Sequence, residues 1–199
     1  VLICNYTKTI IEDVEVYDTL QTPITIAYSK DVVVNRCKVV DCNIEFEPRT
    51  NVSYVWEGIT IMCDPSLVGE SAKVINCHIE NSWGDAIGFN NIKRTEARYN
   101  YCKNISTHLI EHSFYTEGHV VTIDMCDNVF EMINGPILLA RPKLGDAGTM
   151  RVNVDRNKFT KVYGARKRTY PVGASFTTAF IDTSCTGGTE NKFSFCDNI

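Results

Sequence analysis

The chain has 199 residues, with 20 Lys and Arg against 24 Asp and Glu and a formal net charge of −4. That length suits one sizeable core, and 44% hydrophobic with 22% charged residues is the balance of a folded chain rather than a disordered one. The acidic total argues against a nucleic-acid binder with a basic stripe, and no apolar run reaches the ~18 residues of a membrane span.

Nine cysteines and sixteen asparagines stand out from that ordinary background. An odd number of cysteines cannot pair completely within the chain. No Cys-x-x-Cys pair occurs, which disfavours a zinc ribbon or a thioredoxin-type redox site. At this length, free buried cysteines acting as small hydrophobes fit better than a secreted disulfide framework.

In chain order, a short unit recurs. It reads Asp13-Val14-Glu15-Val16, Arg36-Cys37-Lys38-Val39, Asn76-Cys77-His78-Ile79 and Cys102-Lys103-Asn104-Ile105, then Cys126-Asp127-Asn128-Val129, Asp155-Arg156-Asn157-Lys158 and Cys196-Asp197-Asn198-Ile199. One slot then holds Val14, Cys37, Cys77, Asn104, Asn128, Asn157 and Asn198, at steps of 23, 40, 27, 24, 29 and 41 residues. A second unit falls between these: Ile24-Thr25-Ile26, Gly58-Ile59-Thr60-Ile61, Asp85-Ala86-Ile87-Gly88-Phe89, His108-Leu109-Ile110, Pro136-Ile137-Leu138-Leu139 and, more faintly, Phe180-Ile181. These are short β-branched runs bounded by turn residues, and they predict strands. No helical period persists for a helix's length.

Strands at such a period, with no crossover helix, predict an all-β parallel solenoid. Equivalent strands of successive coils stack about 4.8 Å apart. Stacked Asn side chains can then hydrogen-bond from rung to rung, and Cys fills the same slot without needing a partner. The 40- and 41-residue steps predict loop insertions near 43–56 and 163–178. The segment Val-Ile-Asn-Cys-His-Ile-Glu-Asn-Ser-Trp-Gly-Asp-Ala-Ile-Gly-Phe (74–89) resembles one coil of the right-handed parallel β-helix, pectate-lyase-like superfamily. The resemblance covers residues 9–199 and implies a single β-helix domain over 1–199, of about seven coils. Neither end shows a polar or helical cap, so a segment of a longer β-helix is expected.

His108-Leu109-Ile110-Glu111-His112 spells a metalloprotease-like His-x-x-Glu-His, a motif that needs a helix. On a strand the two imidazoles stand about 13 Å apart, too far to share one zinc. No metal site is therefore expected from that motif.

Stacking suggests another use of these residues. If Ile87, Ile110 and Ile137 share a slot, Asp85 and His108 lie on neighbouring rungs about 5 Å apart. Arg141 follows one rung on, with Lys143 just beyond it. Such a groove suits a uronate-type sugar: the cations neutralise its carboxylate while a nearby base moves a proton. The order Gly84-Asp85, His108, Arg141-Pro142-Lys143 resembles that of polygalacturonase-like hydrolases within the superfamily. Two departures stand against hydrolysis by that motif. Ala86 replaces the family's second Asp, and Asn81-Ser82-Trp83 is the nearest segment to its upstream Asn-Thr-Asp, whereas glycoside hydrolysis usually uses paired carboxylates.

The resemblance implies a carbohydrate-active protein that binds and cleaves an acidic polysaccharide, lyase- or glycosidase-like, outside the cell or on a virion surface. Asp85, His108, Arg141 and Lys143 would be its catalytic residues. Trp83, Glu111, His112, Arg166 and Lys167 would bind substrate. No cofactor is expected beyond the calcium that a lyase-like member would add. The alternative is a non-catalytic shaft of a phage tail appendage or surface adhesin, for which a homotrimer is the expected state. Neither reading involves nucleic acid or membrane.

Overall fold

The structure is a computed structural model, and it describes residues 2–4, 6–42, 57–63, 66–114, 118–133, 135–145, 148–162, 181–183, 186–187 and 190–199. Both expected insertions, 43–56 and 163–178, lie outside the described residues.

Among the described residues every element is a strand, and every pairing is parallel. The strands sort into three sheets in a solenoid-like arrangement, each circuit of the chain contributing one strand to each sheet in turn. The first sheet runs Leu2–Cys4, Ile24–Ala27, Glu57–Met62, Asp85–Asn90, Ile110–Phe114, Leu138–Gly145 and Ile181–Thr183. The second runs Lys8–Glu12, Asp31–Asn35, Gly69–Ile75, Ile92–Arg98, Val120–Cys126, Thr149–Asp155 and Glu190–Cys196. The third runs Glu15–Thr19, Lys38–Cys42, His78–Ser82, Tyr101–Ile105, Val129–Ile133 and Lys158–Val162. Among the described residues no helix is long and apolar enough to cross a membrane.

Alternation along the strands sends β-branched and aromatic side chains inward, where they stack rung on rung. Ile24, Ile59, Ile87 and Ile110 form one such column, and Ile26, Ile61 and Phe89 another. Six cysteines (37, 42, 63, 77, 102 and 126) are buried and free, as small core residues.

The asparagine slot is real, but one member differs from the sequence alignment. Asn100, not Asn104, follows Cys77: the Cys77 amide donates to Asn100 Oδ1 at 2.9 Å. The ladder continues as Asn100, Asn128, Asn157 and Asn198, each backbone amide donating to the next side-chain oxygen at 2.9, 3.0 and 2.9 Å. The misalignment came from matching Cys102 to Cys126. Cys102 pairs with Ile79 and Phe130 in the third sheet, whereas Cys126 ends a strand of the second. Asn104 belongs to another ladder, donating to Asn81 Oδ1, whose own amide donates to Asp41.

Left-handed backbone marks the coil corners. Asp13, Arg36, Asn76, Tyr99, Asp127, Arg156 and Asp197 each have φ between 51° and 58°, the first six just before the third-sheet strands and Asp197 just after the last second-sheet strand. Asp18, Asp41, Asn81, Asn104, Met132 and Lys161 form a second such column within those strands. Asp and Asn tolerate this conformation better than other non-glycine residues, and Asn76, Asn81 and Asn104 take it in these two columns.

Candidate functional site

The site grows from a local irregularity of the first sheet. Strict alternation would bury every second residue, yet Ala86 with Ile87, Leu109 with Ile110, and Ile137 with Leu138 are buried as adjacent pairs. The residue before each of the first two pairs is polar: Asp85 and then His108. Asp85 stands opposite Glu57 on the preceding rung. Glu57, Asp85 and His108 therefore form one polar column along the sheet.

Asp85 and His108 are joined directly. The His108 backbone amide donates to Asp85 Oδ1 at 2.8 Å, the imidazole Nδ1 lies 3.0 Å from the same oxygen, and the Thr107 hydroxyl donates to it as well. With Nδ1–H donating to the carboxylate, Nε2 is the basic nitrogen. Burial works to raise the Asp85 carboxyl, but the His108 imidazole, the Thr107 hydroxyl and the His108 amide overcome it and hold the group below its ordinary value. Asp85 is fully enclosed, and its second oxygen, Oδ2, is buried with no hydrogen-bond partner. Gly135 packs against this dyad so closely that a Cβ there would overlap Thr107 O.

Glu57 has the opposite ionisation. Burial, opposed by the Thr60 hydroxyl and reinforced by the charges of Asp85 and Glu111, pushes its carboxyl up to about 8. Its seat is made by Gly88. That position alternates with the buried Ile87 and Phe89, so a side chain there would leave the opposite face, where a Cβ would lie 2.6–2.7 Å from the Glu57 carboxyl. Glu111 stands opposite Gly88 on the next rung, and Ser113 Oγ donates to it at 3.3 Å. One donor atom each from Asp85, His108 and Glu111 lie within 4.8 Å of one another. The His-x-x-Glu-His motif thus gives no helical zinc site, yet two of its residues join Asp85 in a group of metal-compatible donors.

The other expected site residues separate into three outcomes. Trp83 is exposed at the corner between the third and first sheets, two residues before Asp85. His112 does not face a groove. It is wholly buried beside Phe89, within hydrogen-bond distance of Ile92 O at 3.1 Å, and enclosure pushes its imidazole down to about 4. Strand alternation sends it inward while Glu111 turns outward. Arg141 stands opposite Ser113 and Lys143 opposite Thr186, both within the strand Leu138–Gly145. Leu138, not Ile137, is the in-register partner of Ile110, so the backbone position following His108 in its column is Pro136, and Arg141 is further along the strand. The side chains of Arg141 and Lys143, and all of Arg166 and Lys167, lie outside the described residues.

Glu57, Thr60, Gly88 and Thr107 were not singled out in the sequence. The available signal was position: Glu57 precedes Ile59 by the same two residues that separate Asp85 from Ile87 and His108 from Ile110. The chain matches no family model, no curated protein and no solved structure.

Proposed function

We propose that the chain is a right-handed parallel β-helix of about seven coils, of the pectate-lyase-like kind, which cleaves glycosidic bonds in an acidic polysaccharide. One observation carries this reading: Glu57, a carboxylic acid held neutral at pH 7, stands in register with an ionised Asp85 that grips His108. Neighbouring groups driven to opposite protonation states are how a site assembles an acid and a base together.

In this scheme Asp85 fixes the imidazole tautomer, His108 Nε2 takes a proton from the sugar or from water, and Glu57 gives one to the departing glycosidic oxygen. Elimination would move the C–H electron pair into a new double bond as the C–O bond breaks. Hydrolysis would instead place the activated water on the anomeric carbon. Trp83 offers an exposed indole face on which a sugar ring can stack. Arg141 and Lys143 are proposed to meet the substrate carboxylate, and calcium would assist only in the elimination scheme. Extracellular or virion-surface location follows from the same family reading, and a homotrimer belongs to the shaft alternative.

The test is a panel of uronate polymers assayed for new reducing ends and for ultraviolet absorbance of unsaturated ends. Both signals together report elimination, and reducing ends alone report hydrolysis. Activity should fall 10²- to 10⁴-fold in His108→Gln and Glu57→Gln. Binding of a polymer with neither product would overturn cleavage in favour of the non-catalytic shaft.

A further inference from the structure

Asp85, His108 and Glu111 come from neighbouring rungs, and one donor atom from each lies within 4.8 Å of the others. A cation held at about 2.0–2.2 Å from nitrogen and oxygen ligands draws them to roughly 3.5 Å apart. The Asp85–His108 separation, 3.0 Å, is already shorter than that. The parallel ladder fixes both strands, with the Ala86 amide donating to His108 O at 3.1 Å and the Ile87 amide to Leu109 O at 2.9 Å. Only modest side-chain adjustment separates the three donors from a coordination geometry.

A second observation points to a ligand. Asp85 is completely enclosed, yet Oδ2 has no hydrogen-bond partner. A buried carboxylate oxygen without a partner carries a large desolvation cost that a cation removes. Glu111 adds a second carboxylate charge beside that of Asp85, so the local field favours positive charge.

We infer that Asp85, His108 and Glu111 form a binding site for a divalent transition-metal cation, with one nitrogen and two oxygen donors. Imidazole with carboxylates suits a zinc-like ion, whereas calcium seeks six to eight oxygens. Coordination through His108 Nδ1 requires the nitrogen without the proton it donates to Asp85 in the metal-free dyad, so that proton moves to Nε2 or to solvent. Binding therefore takes the proposed acid–base pair apart, and the metal acts on it as an inhibitor. The inference shares residues with the proposed cleavage site but does not require that activity, because binding is measured without substrate.

Isothermal titration of the full chain with zinc chloride tests it, with Glu111→Gln and His108→Gln as variants and calcium chloride as a parallel titrant. Both variants retain all nine cysteines, so any thiolate uptake is common to all three proteins. The expected result is one site that weakens about tenfold or more in each variant, weakens as pH falls because the ligands must be deprotonated, and takes calcium much less well. Glu111 is only partly buried, so Glu111→Gln serves as the decisive variant if His108→Gln unfolds, as checked by circular dichroism. Wild-type protein with no such site, or Glu111→Gln binding zinc like wild type, overturns the inference. Zinc binding by a protein that cleaves no polymer in its metal-free state would sink only the proposed activity.

Discussion

Glu57 and Asp85 face one another on adjacent parallel strands, yet one carboxyl is held protonated at neutral pH and the other ionised. Burial acts on both. The difference is the hydrogen-bond donors: Asp85 Oδ1 receives the Thr107 hydroxyl, the His108 amide and the His108 ring, while Glu57 has the Thr60 hydroxyl against two neighbouring negative charges. Donors aimed at a carboxylate favour its charged form, and like charges disfavour it.

The pH dependence of stability should expose that arrangement. Folded Glu57 keeps, up to about pH 8, a proton that the unfolded chain releases above 4.5, so its contribution falls as pH rises through that window. His112 does the reverse. It stays neutral down to about pH 4 when folded, while the unfolded imidazole charges below 6.5, so its contribution falls as pH drops through that window. The two slopes oppose each other between 4.5 and 6.5, and above 6.5 only that of Glu57 remains. Glu57→Gln is expected to remove the decline above pH 6.5 and to uncover an acid-side loss of up to about 1.4 kcal/mol per pH unit. Urea titrations across this range check it, and an unchanged slope above 6.5 counts against the assignment.

Gly88→Ala should displace Glu57 with little effect on the fold. A methyl group there meets the Glu57 carboxyl at 2.6–2.7 Å, and overpacking of this kind costs about 1–3 kcal/mol. The variant is expected to remain folded while losing the Glu57 pH slope, together with polymer cleavage. Retention of a wild-type pH profile would mean that the gap at Gly88 does not position the acid.

The two asparagine ladders should differ in cost. Asn128 donates to Ala97 O at 2.9 Å and Asn157 Oδ1 at 2.8 Å, and accepts from the Asn100 amide at 2.9 Å, all in buried surroundings. Asn128→Ala leaves several buried groups without partners and should cost about 3–5 kcal/mol. Asn104, half-buried, donates to Asn81 Oδ1 at 2.8 Å, so Asn104→Ala should cost only about 1–2 kcal/mol, including its left-handed backbone. Denaturant midpoints decide the order; a larger loss at Asn104 would contradict the register.

Lys161 occupies a corner position with φ of 55° where four of the five equivalent described rungs carry Asp or Asn, the fifth being Met132. Its side chain is exposed, so little packing is at stake. Lys161→Asn should stabilise the chain by about 0.5–1 kcal/mol, part of the left-handed penalty on ordinary side chains. A lower thermal midpoint in the variant would contradict this.

Much of the architecture could be read from the chain because Ile24, Ile59, Ile87 and Ile110 lie in short β-branched runs whose alternation reflects burial directly. The adjacency of Asp85 and His108 followed from the same pairing. What escaped was governed by one-residue irregularities. Ile137 and Leu138 are both buried, so hydrophobicity alone could not tell which one pairs with Ile110. Asn100 was passed over because Cys102 looked equivalent to Cys126, although the two serve different sheets. His112 belongs to a motif whose spelling masked its inward parity. Glu57 escaped because its altered acidity comes from enclosure and from neighbours on other rungs, which no local motif records.

The polar column has a consequence for descent. Glu57, Asp85 and His108 are separated by unequal lengths of chain but by a single strand spacing each, because the sheet ladder alone sets their positions. Connecting segments can lengthen, shorten or change composition without moving these three side chains. Selection can therefore rework the connecting segments while the arrangement of these three side chains is inherited intact.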